Sequence, residues 1–174
     1  DGRWLVGSGM AAAIRQQFQA PSKASVRLGP DGMAVVRSDM TDIGTGTYTI
    51  VAQVAAETLG LPLERVRVEL ACSDYPPGGS WGATNTCTAV YRACLALKEK
   101  LGAGGVPPEG IGAEGEIVGM WDDANYKDYS IYAYGAQFAE VGVDADTAEI
   151  RLRRMLGVFS LGRVFNAKTT RSQL

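Results

Sequence analysis

The sequence predicts an α+β fold in which mixed β-sheets and packed helices form two-layer lobes, and three observations carry that expectation. A unit of strand, loop, helix and strand runs from Val35 to Leu70, a second amphipathic helix follows Asn85, and two long strand-like runs, Tyr132–Val143 and Glu149–Phe159, come near the end. Strands with one polar face need a second layer on the other, and helices with one apolar stripe supply it. A length of 174 residues, 46% of them hydrophobic, provides material for one domain or two small lobes.

Taken in order, Arg3–Ala13 is apolar and rich in Gly and Ala, which predicts a strand that other backbone can approach closely. Ser25–Leu28 and Met33–Arg37 flank Gly29-Pro30-Asp31-Gly32, a hairpin whose turn residues supply dihedrals that β-branched neighbours cannot. From Thr47 the period changes: Ile50, Val51, Val54, Ala55, Thr58 and Leu59 recur at helical steps. Gly60 then sits where a left-handed C-terminal residue is wanted, and Pro62 forbids continuation. Arg65–Leu70 alternates as a strand with one wet face. After a polar, kinked loop over Cys72–Asn85, a second helix carries Val90, Cys94, Leu97 and Leu101 on one stripe.

Residues 102–115 hold six glycines and two prolines and read as a linker, giving a first lobe over 1–101 and the hairpin-containing part of a second over 116–174. In that second part, Asp144–Ala148 joins the two long strands as a hairpin.

Composition narrows the functional classes. With 17 basic against 19 acidic residues there is no basic field for nucleic acid or an anionic membrane surface. No apolar run approaches the roughly 20 residues of a membrane span, so a soluble chain is expected, in the cytoplasm or periplasm. It begins at Asp1 without a methionine and reads as a processed chain or a fragment. There is no histidine, which removes Ser-His triads, His bases and His metal sites. Cys72, Cys87 and Cys94 form no C-x-x-C pair, and Cys87 and Cys94 read as small buried apolar side chains. Glu57, Glu69, Asp122 and Asp123 read as solvated carboxylates.

Two small-residue loops open the helices. Asp42-Ile43-Gly44-Thr45-Gly46 precedes the first, and Gly78-Gly79-Ser80-Trp81-Gly82 precedes the second. The first N–H groups of a helix lack partners and carry the positive end of its dipole, so each loop is suited to an anionic group. Glycines at such a turn also serve backbone geometry alone, and Asp42 is suited to capping or orienting its loop. Trp81 either plugs a core or walls a ligand pocket. The absence of a Gly-Lys-Ser/Thr sequence argues against kinase chemistry.

Four stretches in order resemble the large molybdopterin-binding subunit of the xanthine dehydrogenase/aldehyde oxidase family, above all its bacterial three-subunit aldehyde oxidases. They are Ser38–Ile50, Gly78–Ala83, Phe138–Asp144, and Gly162–Asn166 leading to Arg171-Ser172-Gln173. The resemblance implies the fold of molybdenum cofactor-binding domains. It also implies a pyranopterin-bound molybdenum, in the cytosine dinucleotide form, in an enzyme that oxidises aldehydes or N-heterocycles with water-derived oxygen. It assigns Ile43, Gly44, Thr45, Gly46 and Gln173 to the pterin, and Gly79, Ser80, Trp81 and Gly82 to the phosphates. Thr45 stands where many relatives carry glutamine, and Ala167 where they carry proline after the asparagine.

The family's catalytic glutamate has no counterpart in these residues, so no catalytic residue and no protein metal ligand is assigned. Glu114 and Glu116 lie in the linker and are not promoted. An iron–sulfur subunit, an FAD subunit and a small-molecule substrate are the implied partners, with a homodimer as a further expectation. The competing expectation is a non-catalytic piece that keeps the fold and acts in self-association or subunit assembly.

Overall fold

The computed structural model describes residues 2–79, 81–102 and 104–174. The chain divides into two compact units, one of Asp1–Gln17 and Ser130–Arg163, the other of Phe18–Tyr129 and Val164–Leu174.

The second of these carries the helices. Its sheet has the order β4-β3-β2-β5, built from β2 (Ser22–Leu28), β3 (Ala34–Ser38), β4 (Val66–Leu70) and β5 (Ile111–Ile117). β2 pairs antiparallel with β3 and with β5, while β3 and β4 run parallel. A parallel pair requires a crossover, and α1 (Thr47–Leu59) provides it. The Gly29–Gly32 turn closes as expected, with the Gly29 amide donating to the Met33 carbonyl at 2.9 Å. At the other end of α1, Gly60 takes φ 73°, and its N–H donates to the Ala56 carbonyl.

Ala24, Val26 and Leu28 of β2 alternate inward and meet Ala34 and Val36, forming the sheet side of the core. Ile50, Val51, Val54 and Ala55 of α1 cover it together with Ala89, Val90, Cys94 and Leu97 of α2 (Gly82–Leu101). Burying this apolar face outweighs the modest helix propensity of the β-branched residues in α1. α2 begins three residues before Asn85, because the Trp81 carbonyl accepts the Thr84 and Asn85 amides and closes the first turn there.

The expected linker is not where the units divide. Its second half runs into β5, which pairs with the whole length of β2 from Ser22↔Ile117 to Leu28↔Ile111. The physical reason lies at Gly115. A β-carbon there would fall within 3.0 Å of both the Ala93 amide nitrogen and the Ala89 carbonyl oxygen, so the missing side chain lets the backbone of α2 rest directly on β5. Glycine in this stretch serves helix–sheet contact, a use that composition cannot distinguish from flexibility.

The other unit is an antiparallel sheet of order β1-β6-β7, made of β1 (Trp4–Gln16), β6 (Tyr132–Asp144) and β7 (Ile150–Ser160). The first strand thus pairs with the late hairpin, from Trp4↔Asp144 to Gln16↔Tyr132, and not with the strands that follow it in sequence. The hairpin turn is locked by Asp144, a fully buried residue. Its carboxylate accepts the Asp146 and Thr147 amides at 3.0 and 3.2 Å and pairs with Arg3 at 2.6 Å.

Candidate functional site

Parallel pairing of β3 and β4 puts the starts of α1 and α2 beyond the same ends of two adjacent strands. Each helix follows the C-terminal end of its strand through a loop, residues 39–46 after β3 and residues 71–81 after β4. The sheet topology therefore brings together two loops that lie far apart in sequence. They are also joined directly. The Asp39 carboxylate accepts the Gly78 amide, the Asp39 amide donates to the Pro76 carbonyl at 2.9 Å, and the Met40 side chain packs where a β-carbon on Gly82 would stand.

The first loop is organised by Asp42. Its Oδ1 accepts the Gly44 and Gly46 amides at 2.9 and 3.2 Å, and its Oδ2 accepts the Tyr48 amide at 3.2 Å. Burial alone would raise the pKa of this carboxyl. The amides of Tyr48, Gly44, Gly46 and Thr45 outweigh that and hold it below its ordinary value. Gly44 and Gly46 take φ of 95° and 84°, the left-handed region that only glycine enters at little cost. Around Gly44 the space is open, with nothing within 4 Å of where a β-carbon would be. Ile43 is 82% exposed, and the exposed Thr45 hydroxyl lies 3.3 Å from that of Thr47.

The C-terminal segment meets this loop. A β-carbon on Gly46 would touch Thr169 Cγ2 at 2.9 Å, and Asn166 Nδ2 donates to Gln53 Oε1 of α1 at 3.2 Å. Asn166 also caps the short α3 (Ala167–Arg171) by accepting the Lys168 and Thr169 amides, both at 3.0 Å, so the turn holds with Ala167 in place of proline. Gln173 lies two residues beyond α3, exposed, with its backbone amide donating to the Thr170 carbonyl at 3.0 Å.

The second loop is held from beneath. A β-carbon on Gly79 would fall within 3.0 Å of the Pro21 carbonyl oxygen, and the Gly79 amide lies 3.4 Å from the Ser22 hydroxyl. Ser80 lies outside the described residues. Trp81 takes the left-handed conformation, φ 59°, and is 40% exposed, with its ring 5.2 Å from Phe18. It does not plug the core. No side-chain hydrogen bond from Trp81 caps α2, and Gly82 and Ala83 stand at the positive end of this 20-residue helix.

Three carboxyl groups outside the loops are shifted in the direction opposite to general-base tuning. Glu69 lies below its ordinary pKa because Arg37 donates to it, and Glu116 because Lys23 does; Asp123 is lowered mainly by Gln19. A base working near neutral pH needs the opposite shift. Among the described residues no cluster of His, Cys, Asp and Glu is arranged to hold a metal ion. Nor is any described helix long and apolar enough to cross a membrane.

Site residues absent from the sequence reading are Asp39, Thr169 and Gln53. Their partners lie 39, 123 and 113 positions away, and no local pattern signals such contacts.

The geometry can be set beside known proteins. The family model described as molybdopterin cofactor-binding domain matches residues 2–114 and 108–174. The aldehyde oxidoreductase molybdenum-binding subunit PaoC of Escherichia coli O157:H7 is 41% identical over the whole chain, which covers 28% of that protein. The probable hypoxanthine oxidase XdhD of Escherichia coli K12 is 27% identical, with the whole chain covering 22% of it. Among solved structures, the aldehyde oxidoreductase from Desulfovibrio desulfuricans superposes on 99% of this chain with a TM-score of 0.80 at 22% identity, over 22% of its own length. The Cu,Mo-CO dehydrogenase matches 98% of the chain at a TM-score of 0.81 and 19% identity, over 28% of its length. The chain thus spans less than a third of the length of these relatives. Because the family model covers nearly every residue and the two glycine loops converge at one end of one sheet, the chain belongs to the molybdopterin cofactor-binding domain family.

Proposed function

We propose that this chain is the cofactor-gripping part of a molybdenum hydroxylase that oxidises aldehydes or N-heterocycles with water-derived oxygen. The convergence of the two glycine loops, tied together through Asp39, is the observation that carries the reading. Ile43, Gly44, Thr45, Gly46 and Gln173 form the pterin end, and Gly79, Ser80, Trp81 and Gly82 the phosphate end, of a cofactor in the cytosine dinucleotide form. When bound, a molybdenum–pterin group supplies two-electron oxidation chemistry, and the protein contributes position and electrostatics around it.

The donor set is consistent with that division. The open face of Gly44 admits a flat group at van der Waals distance, and the start of α2 offers amides and a helix dipole to a diphosphate. Electrons leave through iron–sulfur and FAD centres on partner subunits. Support for an assembly comes from relatives named as a molybdenum-binding subunit and as the gamma subunit of a dehydrogenase complex.

Gly44→Val tests the pterin end. Valine at φ 95° strains the loop and its side chain occupies the open face of Gly44, so molybdenum content by elemental analysis and pterin fluorescence after oxidation fall by at least tenfold, while far-ultraviolet circular dichroism is retained. Unchanged cofactor content would overturn the loop assignment.

A second reading, self-association, is favoured by the exposed apolar side chains of the three-stranded sheet, among them Met10, Ile14, Phe138 and Leu156. Sedimentation of the purified chain tests it, a concentration-independent monomer being the result that removes it.

A further inference from the structure

One face of the three-stranded sheet is apolar over three successive rows. Register sets Met10, Phe138 and Leu156 side by side, then Ala12, Ala136 and Val158, then Ile14, Tyr134 and Ser160. Residues paired across strands project to the same face, and their sequence neighbours project to the other. The six large apolar and aromatic side chains of these rows are between 43% and 73% exposed. They leave roughly 600 Å² of contiguous apolar surface, the top of the range for a monomer's largest patch and close to the ~800 Å² each partner gives to a standard interface. The corresponding rows of the opposite face hold Gly9, Ala139 and Met155, then Ala11, Gln137 and Gly157, so less apolar area projects there.

The apolar rows end on a charged one. Ser8, Glu140 and Arg154 are in register, and with Met10, Phe138 and Leu156 they line a shallow cavity of about 510 Å³. None of the chain's lysines lies in this unit, and its cationic side chains are all arginine. Exposed Met, aromatic residues and Arg, with Lys absent, is the composition of a protein interface.

We propose that this face joins two copies of the chain into a closed dimer, about a two-fold axis that lies in the interface and runs along the strands between β6 and β7. The proposal rests on the self-association reading given above and names its surface. A second copy fits because the face complements itself. The two-fold lays β6 of each copy over β7 of the other, so Phe138 meets Leu156, Ala136 meets Val158, and the Glu140 of each copy meets the Arg154 of the other. Two sheets stacked with their strands nearly aligned pack well, and an isologous contact closes at two copies.

Sedimentation equilibrium of the full chain tests this, with the dimer dissociation constant as the readout. The wild type gives a monomer–dimer equilibrium without larger species. Phe138→Glu raises the dissociation constant roughly a hundredfold, as expected for an aromatic anchor at an interface centre. Met155→Glu, on the opposite face, changes it by less than about threefold. Glu140→Arg and Arg154→Glu each weaken the homodimer by setting like charges against each other. Mixed in equal amounts, these two variants form a heterodimer about tenfold tighter than either homodimer, because each new charge then meets its opposite across the interface. A folding defect in either variant cannot produce that gain on mixing.

A wild type that stays monomeric at every concentration removes the self-association reading and this proposal together. A dimer broken by Met155→Glu and kept by Phe138→Glu overturns this surface while self-association stands. Mixed charge variants that associate no better than either alone do the same.

Discussion

Gly115→Ala adds a single β-carbon at a point where two backbones touch. That atom would lie within 3.0 Å of the Ala93 amide nitrogen and the Ala89 carbonyl oxygen, closer than real β-carbons come, and Arg92 carbonyl carbon is inside the same limit. No flexible side chain is available to swing aside. Relief requires α2 to lift from β5, which loosens the burial of Ala89, Ala93 and Ala113, all 5% exposed or less. Overpacking of a close-packed interior costs about 1–3 kcal/mol. A rigid backbone contact belongs at the upper end, so we take about 3 kcal/mol, which corresponds to a fall in melting temperature of roughly 10 °C for a unit of this size.

The control lies in the same glycine-rich stretch. Nothing stands within 4 Å of a β-carbon at Gly105, so Gly105→Ala is neutral or stabilises by about 0.4–1 kcal/mol through the unfolded chain. Thermal unfolding followed by circular dichroism separates the two. Equal shifts for both variants, or a Gly115→Ala midpoint within 2 °C or so of the parent, would refute the account of β5 as a packed strand.

Burial pushes the Cys87 and Cys94 thiols up to about 12, whereas Cys72 is half-exposed; a thiol reagent at pH 8 therefore labels one cysteine in the native chain and three after unfolding. Rapid labelling of Cys94 in the native state would contradict the packing of α2. Asp144→Ala leaves the Asp146 and Thr147 amides without their acceptor and Arg3 without its partner, at a cost of about 2–4 kcal/mol, read as a lower urea midpoint. A change below about 0.5 kcal/mol would show that the turn does not depend on it. The folded-state pKa of Asp42 lies below the ordinary 3.8, so its contribution is complete above that value and is lost as the pH falls through the lower, folded one. Urea midpoints of the wild type and Asp42→Asn should therefore differ at neutral pH and converge in acid. A constant gap down to the acid limit of folding would remove the carboxylate as the cause.

The sequence by itself determined the local elements. The Pro-Asp-Gly turn, the stripe from Ile50 to Leu59, the Gly60 stop and the alternation before Leu70 are each read from neighbours within about four residues, and each element formed where expected. The two glycine loops were legible for the same reason, as was the capping role of Asp42, whose amide partners lie two to six residues away. The pairing of elements was decided only in three dimensions. β1 joins β6 across more than a hundred residues, and β5 emerges from a stretch with the composition of a linker, because register depends on which faces bury one another. Asp39 meets Gly78 because β3 and β4 pair in parallel, and Thr169 reaches Gly46 through the return of the C-terminal segment. A glycine at a turn and a glycine beneath a helix are the same letter. What separates them at Gly44 and Gly115 is whether open space or another backbone occupies the place of the missing side chain.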